Sequence, residues 1–231
     1  MGESIHSGHR ERVRQDFLKN GFSETTPPHK IIEMLLFYSI PRRDTNETAH
    51  ELLNRFGSIS GILDAPVEQL TEVPGVNSNT AALIKLILPI ARIYRNDKCV
   101  GVEKFGNMDE ICAYLMNKYF GYNKEVFSVT SLSAGGKLIG YDILSEGNVS
   151  EVNISTREII ETVLKRRAAC IVIAHNHPDG VALPSKEDIA VTETVNSALS
   201  HINVKLLDHI VIAGDDYVSM AQSKCFKYIF G

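Results

Sequence analysis

From Pro27 to about Arg95, apolar positions such as Ile32, Leu35 and Leu36 recur at helical spacing, which predicts consecutive short helices and no strand. Asp44 or Thr45 can cap a helix running through Phe56, and Gly57 closes it. Ser58 to Leu63 begins another turn, and Pro66 restarts helix. Asn96 to Asn107, with Gly101 and Gly106, reads as a linker. The pattern then changes. Asp109 to Tyr119 is helical, whereas Glu125 to Leu132 alternates and is β-branched, and a turn at 133–136 joins it to a hairpin partner over 137–145. Thr156 to Arg167 returns to helical periodicity, and Ala169 to Ala174 is a continuous apolar run of the kind that forms a buried strand. Ser185 to Ile202 predicts a helix. Strands over 204–207 and 209–213 and a turn at 214–216 follow.

The predicted organisation is therefore a small all-α domain over residues 1–95 and an α/β domain over 102–231. The 231-residue length fits two modest domains, and 44% hydrophobic with 23% charged residues is enough to bury cores without staples. Cys99, Cys112, Cys170 and Cys225 are scattered, with no CxxC pair, and read as reduced cysteines of a cytoplasmic protein. The first residues lack the apolar core of a signal peptide, and no apolar stretch reaches the ~18 residues that span a bilayer, so no membrane partner is expected. Lys and Arg balance Asp and Glu at 12 each over residues 1–100, against 12 and 16 over 101–231, so neither half binds nucleic acid by charge alone. Arg10, Arg12 and Arg14, beside His6 and His9, form a local basic cluster that can meet phosphate or form a solvated helix face, and the solvated face is the reading taken here.

The candidate chemistry lies at His175-Asn176-His177. Alternate side chains at a strand's end face the same way, so two imidazoles can converge on one point. Asp188 follows eleven residues later in the first turn of a helix, and the Gly/Pro loop between can fold its carboxylate back. Two neutral imidazoles and a carboxylate suit Zn2+, one ion per chain, with a fourth tetrahedral position left for water. Each residue also has a structural reading. The two histidines can be polar residues at a strand rim, and Ser185-x-x-Asp188 before an apolar run resembles a capping box. Asp208 and His209, set between apolar runs, read as structural residues of the sheet, with orientation of a ligand imidazole as the alternative.

Taken whole, HNHPDGVALPSKED resembles the JAMM (MPN-type) signature, H-x-H followed by seven residues, Ser, two residues and Asp, and it matches at every position. GHRERVR near the start, Arg157-Glu158, HNHP and LLDHIVIAG at 206–214 resemble the RadC family across nearly the whole chain. Asp179 departs from that family, which usually has Ser there. The resemblance implies a JAMM/MPN-like mixed sheet with flanking helices. It also implies that His175, His177 and Asp188 are zinc ligands, and that Ser185 helps stabilise an oxyanion. Such hydrolases need a carboxylate to carry a proton from water to the leaving nitrogen. Glu125, at the start of the first strand, is assigned that role ahead of Glu146, Glu151 and Glu158. An exposed strand-edge charge is its structural alternative.

Leu70 to Ile84 resembles a helix-hairpin-helix module, in which a Pro-Gly turn offers backbone amides to phosphate. Asn77 stands where such motifs usually have a second glycine, and Lys85 is the nearby cation. A plain helical hairpin is an equal alternative. The expected function is a zinc-dependent metallohydrolase cleaving an amide or isopeptide bond of a protein or peptide substrate. Its rival is a DNA-repair-associated accessory protein, weakly DNA-binding through the N-terminal domain, with a structural or vestigial metal site.

Overall fold

The computed structural model describes residues 5–41, 43–98, 103–147, 155–178 and 180–230. It divides into two compact units, Met1–Ile90 and Ala91–Gly231. The first unit is helical, with no strand among its described residues: α1 (Ile5–Asn20), α2 (Pro28–Leu36), α3 (Asn46–Phe56), α4 (Ile59–Asp64), α5 (Val67–Thr71) and the first part of α6 (Ser78–Lys98). Its core gathers Ile32, Leu36, Ala49, Leu52, Ile62, Leu70 and Ile84, the apolar stripes of the individual helices. Ser58 caps α4 by accepting from the Gly61 amide, and Gly57, at φ 78°, closes α3 as expected.

Two expectations change in this unit. Arg10 does not lie on a solvated face: its guanidinium donates to the carbonyl of Phe37, the C-cap of α2, at 3.5 Å, and beyond the helix to the Ile40 carbonyl at 2.8 Å and to that of Arg43. It also lies 4.9 Å from the centre of the Phe37 ring. Carbonyls past a helix end need donors, and a guanidinium supplies several. Lys85 is likewise turned inward, its ammonium donating to the carbonyls of Leu63, Asp64 and Ala65 at 2.6, 3.2 and 3.1 Å. The Pro74-Gly75 turn needs its glycine, because φ is 89° and a Cβ would lie 2.7 Å from the Thr48 hydroxyl.

The second unit is a five-stranded mixed sheet with helices on both faces. β1 (Glu125–Leu132), β2 (Leu138–Gly147), β3 (Cys170–Asn176), β4 (Lys205–Ala213) and β5 (Asp216–Ser219) lie in the order β2-β1-β3-β4-β5. β3 and β4 are parallel, joined through α9 (Lys186–Ser200), and the other neighbours are antiparallel. α7 (Met108–Tyr119) covers one face over Val126, Val172, Ala174, Ile210 and Ile212. α8 (Thr156–Arg166) and α9 cover the other over Phe127, Val129, Ile171 and Ile173. β3, buried on both faces, is why the run from Ala169 to Ala174 is apolar without alternation.

Three boundaries differ from the sequence pattern. Residues 96–98 belong to α6, and 103–105 are tied to the β1-β2 turn through Phe105 N–H to the Gly136 carbonyl at 2.9 Å. The predicted linker is thus structured at both ends, while residues 99–102, including Cys99, lie outside the described residues. The two strands expected at 204–207 and 209–213 are one strand, β4, with an irregularity where the register passes from Leu206 to Asp208. Asp208 does not break it, because its carboxylate accepts from the His209 and Ala221 amides at 2.7 and 2.8 Å and from the Ser219 hydroxyl. The turn at 214–216 leads into β5, a short fifth strand absent from the sequence reading.

Candidate metal centre

β3 extends through Asn176, so His175 lies inside the strand and His177 is the first residue beyond it, held by its amide to the Ile212 carbonyl at 2.7 Å. The residues between His177 and Pro184 then return the chain to α9. Gly180 lies close under His177: a Cβ there would be 3.2 Å from the histidine Cβ. Ser185 caps α9, and Asp188 stands at its third position. The structure thus brings His175, His177 and Asp188 together, with one ligand atom from each within 4.8 Å of the others. His175 Nε2 lies 3.0 Å from His177 Nε2 and 3.1 Å from Asp188 Oδ1, and His177 Nε2 lies 3.7 Å from Asp188 Oδ2. This cluster can hold a metal ion.

The supporting hydrogen bonds leave the converging atoms proton-poor. A carbonyl can only accept, so His177 donates Nδ1–H to the Val181 carbonyl at 3.0 Å, which puts the lone pair of the uncharged form of the ring at Nε2. The complete capping box places two donors on Asp188 Oδ2, the Ser185 amide at 2.7 Å and the Ser185 hydroxyl at 2.6 Å, which leaves Oδ1 for the cluster. Ser185 Oγ also accepts from the Asp188 amide at 3.1 Å. Burial alone would raise the Asp188 carboxyl. With a proton on His175 Nε2, the hydrogen bond and charge of that ring and the two bonds from Ser185 outweigh it and hold the carboxyl well below the usual carboxylate range; a metal ion at the cluster would take the place of that proton.

Glu125 is placed by register. Phe127 pairs with His175 across β1 and β3, and the two rings stack with centroids 6.4 Å apart. Glu125, two residues earlier on the same face of β1, therefore begins the strand on the side of the histidine cluster. Its Oε2 is buried and has no hydrogen-bond partner among the described residues, unlike an exposed edge charge. Glu146 pairs with Val126 and so belongs to the opposite face, and Glu158 is exposed on α8. Glu151 and Asp179 lie outside the described residues.

A model of the RadC-like JAB domain matches residues 105–225 of this chain. A UPF0758 protein of Fusobacterium nucleatum is 34% identical over 230 residues, which is 96% of this chain and 98% of that protein. The chain belongs to the RadC family. A UPF0758 protein of Carboxydothermus hydrogenoformans is also similar, 33% identical over 227 residues that cover 98% of this chain and 100% of that protein.

Two features of this RadC-family site are invisible to motif spacing. Asn176, between the two histidines, accepts from the Val126 amide at 2.8 Å and donates to the Lys124 carbonyl at 3.0 Å, clamping the backbone on either side of Glu125. His209, read from sequence as part of the sheet with orientation of a ligand imidazole as the alternative, is buried with Nε2 2.8 Å from His175 Nδ1. Burial first, and then the neighbouring His175, push its imidazole well below the ordinary histidine range. Thr192 lies beyond it, 2.6 Å from His209 Nδ1. The only sequence signal for the Asp208-His209 pair was two polar residues inside an apolar run, which a sheet can also absorb structurally.

Proposed function

We propose that this RadC-family chain is a zinc-dependent hydrolase of the JAMM type that cleaves an amide or isopeptide bond in a protein or peptide substrate. The observation that carries the reading is the convergence of His175, His177 and Asp188. Tetrahedral zinc, at about 2.0–2.2 Å from nitrogen and oxygen ligands, needs ligand atoms about 3.3 Å apart. The contacts of His175 Nε2 with His177 Nε2 at 3.0 Å and with Asp188 Oδ1 at 3.1 Å lie close to that spacing, and one ligand atom from each of the three residues lies within 4.8 Å of the others. Three protein ligands leave a fourth position open, the arrangement of catalytic rather than structural zinc. When bound, zinc supplies Lewis-acid polarisation and makes water acidic enough to react near neutral pH.

The chain's own residues supply the rest. Glu125 has a buried carboxylate oxygen with no competing partner among the described residues, which suits it to take a proton from the attacking water and deliver it to the leaving nitrogen. Ser185 is assigned the developing oxyanion. Its proton rests on Asp188 Oδ2, so that role requires the hydroxyl to turn from the carboxylate as charge grows on the substrate oxygen. Val181 and Leu183, exposed on the loop that bears His177, offer apolar surface for an extended substrate beside the site.

The nucleic-acid reading has less support, because Lys85 and Arg10 are each committed to three carbonyls. Elemental analysis of the purified protein, paired with turnover assays on isopeptide, peptide and nucleic-acid substrates, tests the proposal. Stoichiometric zinc, lost in the His175→Ala/His177→Ala double variant, with cleavage of an amide substrate is the expected result. Zinc retained by the double variant, or cleavage of nucleic acid alone, overturns it.

A further inference from the structure

We propose that His209 and Thr192 are positioning residues that fix the His175 tautomer for metal binding, through one chain of hydrogen bonds that returns to the backbone of Asp188. The inference rests on the metal-binding reading above and concerns the layer behind it. Three contacts define the chain: His175 Nδ1 to His209 Nε2 at 2.8 Å, His209 Nδ1 to Thr192 Oγ1 at 2.6 Å, and Thr192 Oγ1 to the Asp188 carbonyl at 2.5 Å. His209 is 1% exposed and Thr192 is fully buried, so water does not compete for these groups.

The direction of the protons follows from the chain's far end. The Asp188 carbonyl can only accept, so Thr192 donates its single proton there, one helical turn back along α9. Thr192 Oγ1 is then an acceptor, and His209 meets it with Nδ1–H. A neutral imidazole carries one N–H, so His209 Nε2 is bare and accepts from His175 Nδ1–H. His175 Nε2 is left bare, facing His177 Nε2 and Asp188 Oδ1. The Val181 carbonyl imposes the same tautomer on His177 by a separate route.

The opposite direction is also connected. If Thr192 gives its proton to His209 Nδ1, then His209 donates from Nε2 to His175 Nδ1, and His175 carries its proton on Nε2, where it blocks a ligand position. The Thr192 hydroxyl therefore selects between a metal-accepting and a metal-refusing His175. Because its acceptor is the backbone of Asp188, the same bond ties the orientation of one ligand to the helical turn that carries another. Imidazole ligands depend on such partners, and removing one typically costs about 10- to 100-fold in metal affinity.

Zinc affinity by competition with a chromophoric chelator, on the full chain, reads this out without substrate. Thr192→Val keeps the side chain's shape and removes the hydroxyl, whereas Thr192→Ser keeps the hydroxyl. Zinc binding is expected to weaken about 10- to 100-fold in Thr192→Val and to return to within about 3-fold of the parent in Thr192→Ser. In the parent loaded with zinc, the nitrogen-15 shifts should show both His175 and His209 protonated at Nδ1, a readout that needs no variant to fold. Equal affinity in Thr192→Val and Thr192→Ser, or a His209 proton on Nε2 in the loaded parent, overturns the inference while leaving the metal site intact. A parent that takes up no zinc overturns the metal reading and this inference with it.

Discussion

Replacing Asn176 by leucine separates hydrogen bonding from packing at the centre of the site, because leucine has nearly the same branched shape and no polar atoms. Asn176 is 4% exposed and makes two hydrogen bonds to β1, accepting from the Val126 amide and donating to the Lys124 carbonyl. Val126 is fully buried, so its stranded N–H pays the desolvation penalty of an unmade bond, about 1–3 kcal/mol. The Lys124 carbonyl adds a lost bond of about 1 kcal/mol. Leucine's extra apolar character offsets a part of this sum of about 2–4 kcal/mol, and the expected net loss is about 1–3 kcal/mol, a large fraction of a domain's usual 5–15 kcal/mol. For a cooperative unit of this size the melting temperature should fall by about 2–12 °C. The chain has no Trp and 8 Tyr, so circular dichroism and tyrosine fluorescence are suitable probes of urea and thermal unfolding. The backbone on both sides of Glu125 is released by the same change, so amide hydrolysis should slow by more than zinc affinity falls. A loss below about 0.5 kcal/mol, the ordinary effect of a surface substitution, would refute the clamp.

Glu125→Gln should keep the fold and the zinc and abolish hydrolysis, since the near-isosteric amide cannot take a proton from water; turnover at the parental rate transfers the base role to another acid. Ser185→Ala should cost about 1 kcal/mol as a lost cap and about 100-fold in rate as a lost oxyanion donor, and an unchanged rate with lowered stability leaves Ser185 a cap alone. Lys85→Met should lower thermal stability by about 1–2 kcal/mol through the carbonyls of residues 63–65. It should leave any low-salt DNA retardation of the full chain unchanged, and a clear drop in retardation would restore Lys85 as a phosphate contact.

What the sequence disclosed follows from how far apart the cooperating residues lie along it. His175, His177, Ser185 and Asp188 span one strand end, one loop and one helical turn, so their spacing alone carries the geometry, and the capping box that completes it is a local rule. Glu125 was approachable only through the expectation that its strand opens the domain, and its face of the sheet became definite from the pairing of Phe127 with His175. The supporting layer had no such local trace. His209 acts on a residue 34 positions away and Thr192 on one 17 positions away, and each looks in isolation like a polar residue tolerated in a core. The same distance hid the continuity of β4, because Asp208 is satisfied by Ser219 and Ala221 from the far side of a turn. Arg10 and Lys85 misled in the opposite direction: a cation in a helical sequence reads as solvent-facing or phosphate-facing, yet both end on backbone carbonyls that only folding brings within reach. Local spacing therefore places the ligand atoms near one another, but their protonation is decided by acceptors. One is near in sequence, the Val181 carbonyl for His177, and one is reached only across the sheet and back through α9, the Asp188 carbonyl for His175. The two imidazoles should consequently differ in how easily their tautomers are disturbed: substitutions in the β3-α9 loop act on His177, and substitutions in the buried faces of β4 and α9 act on His175.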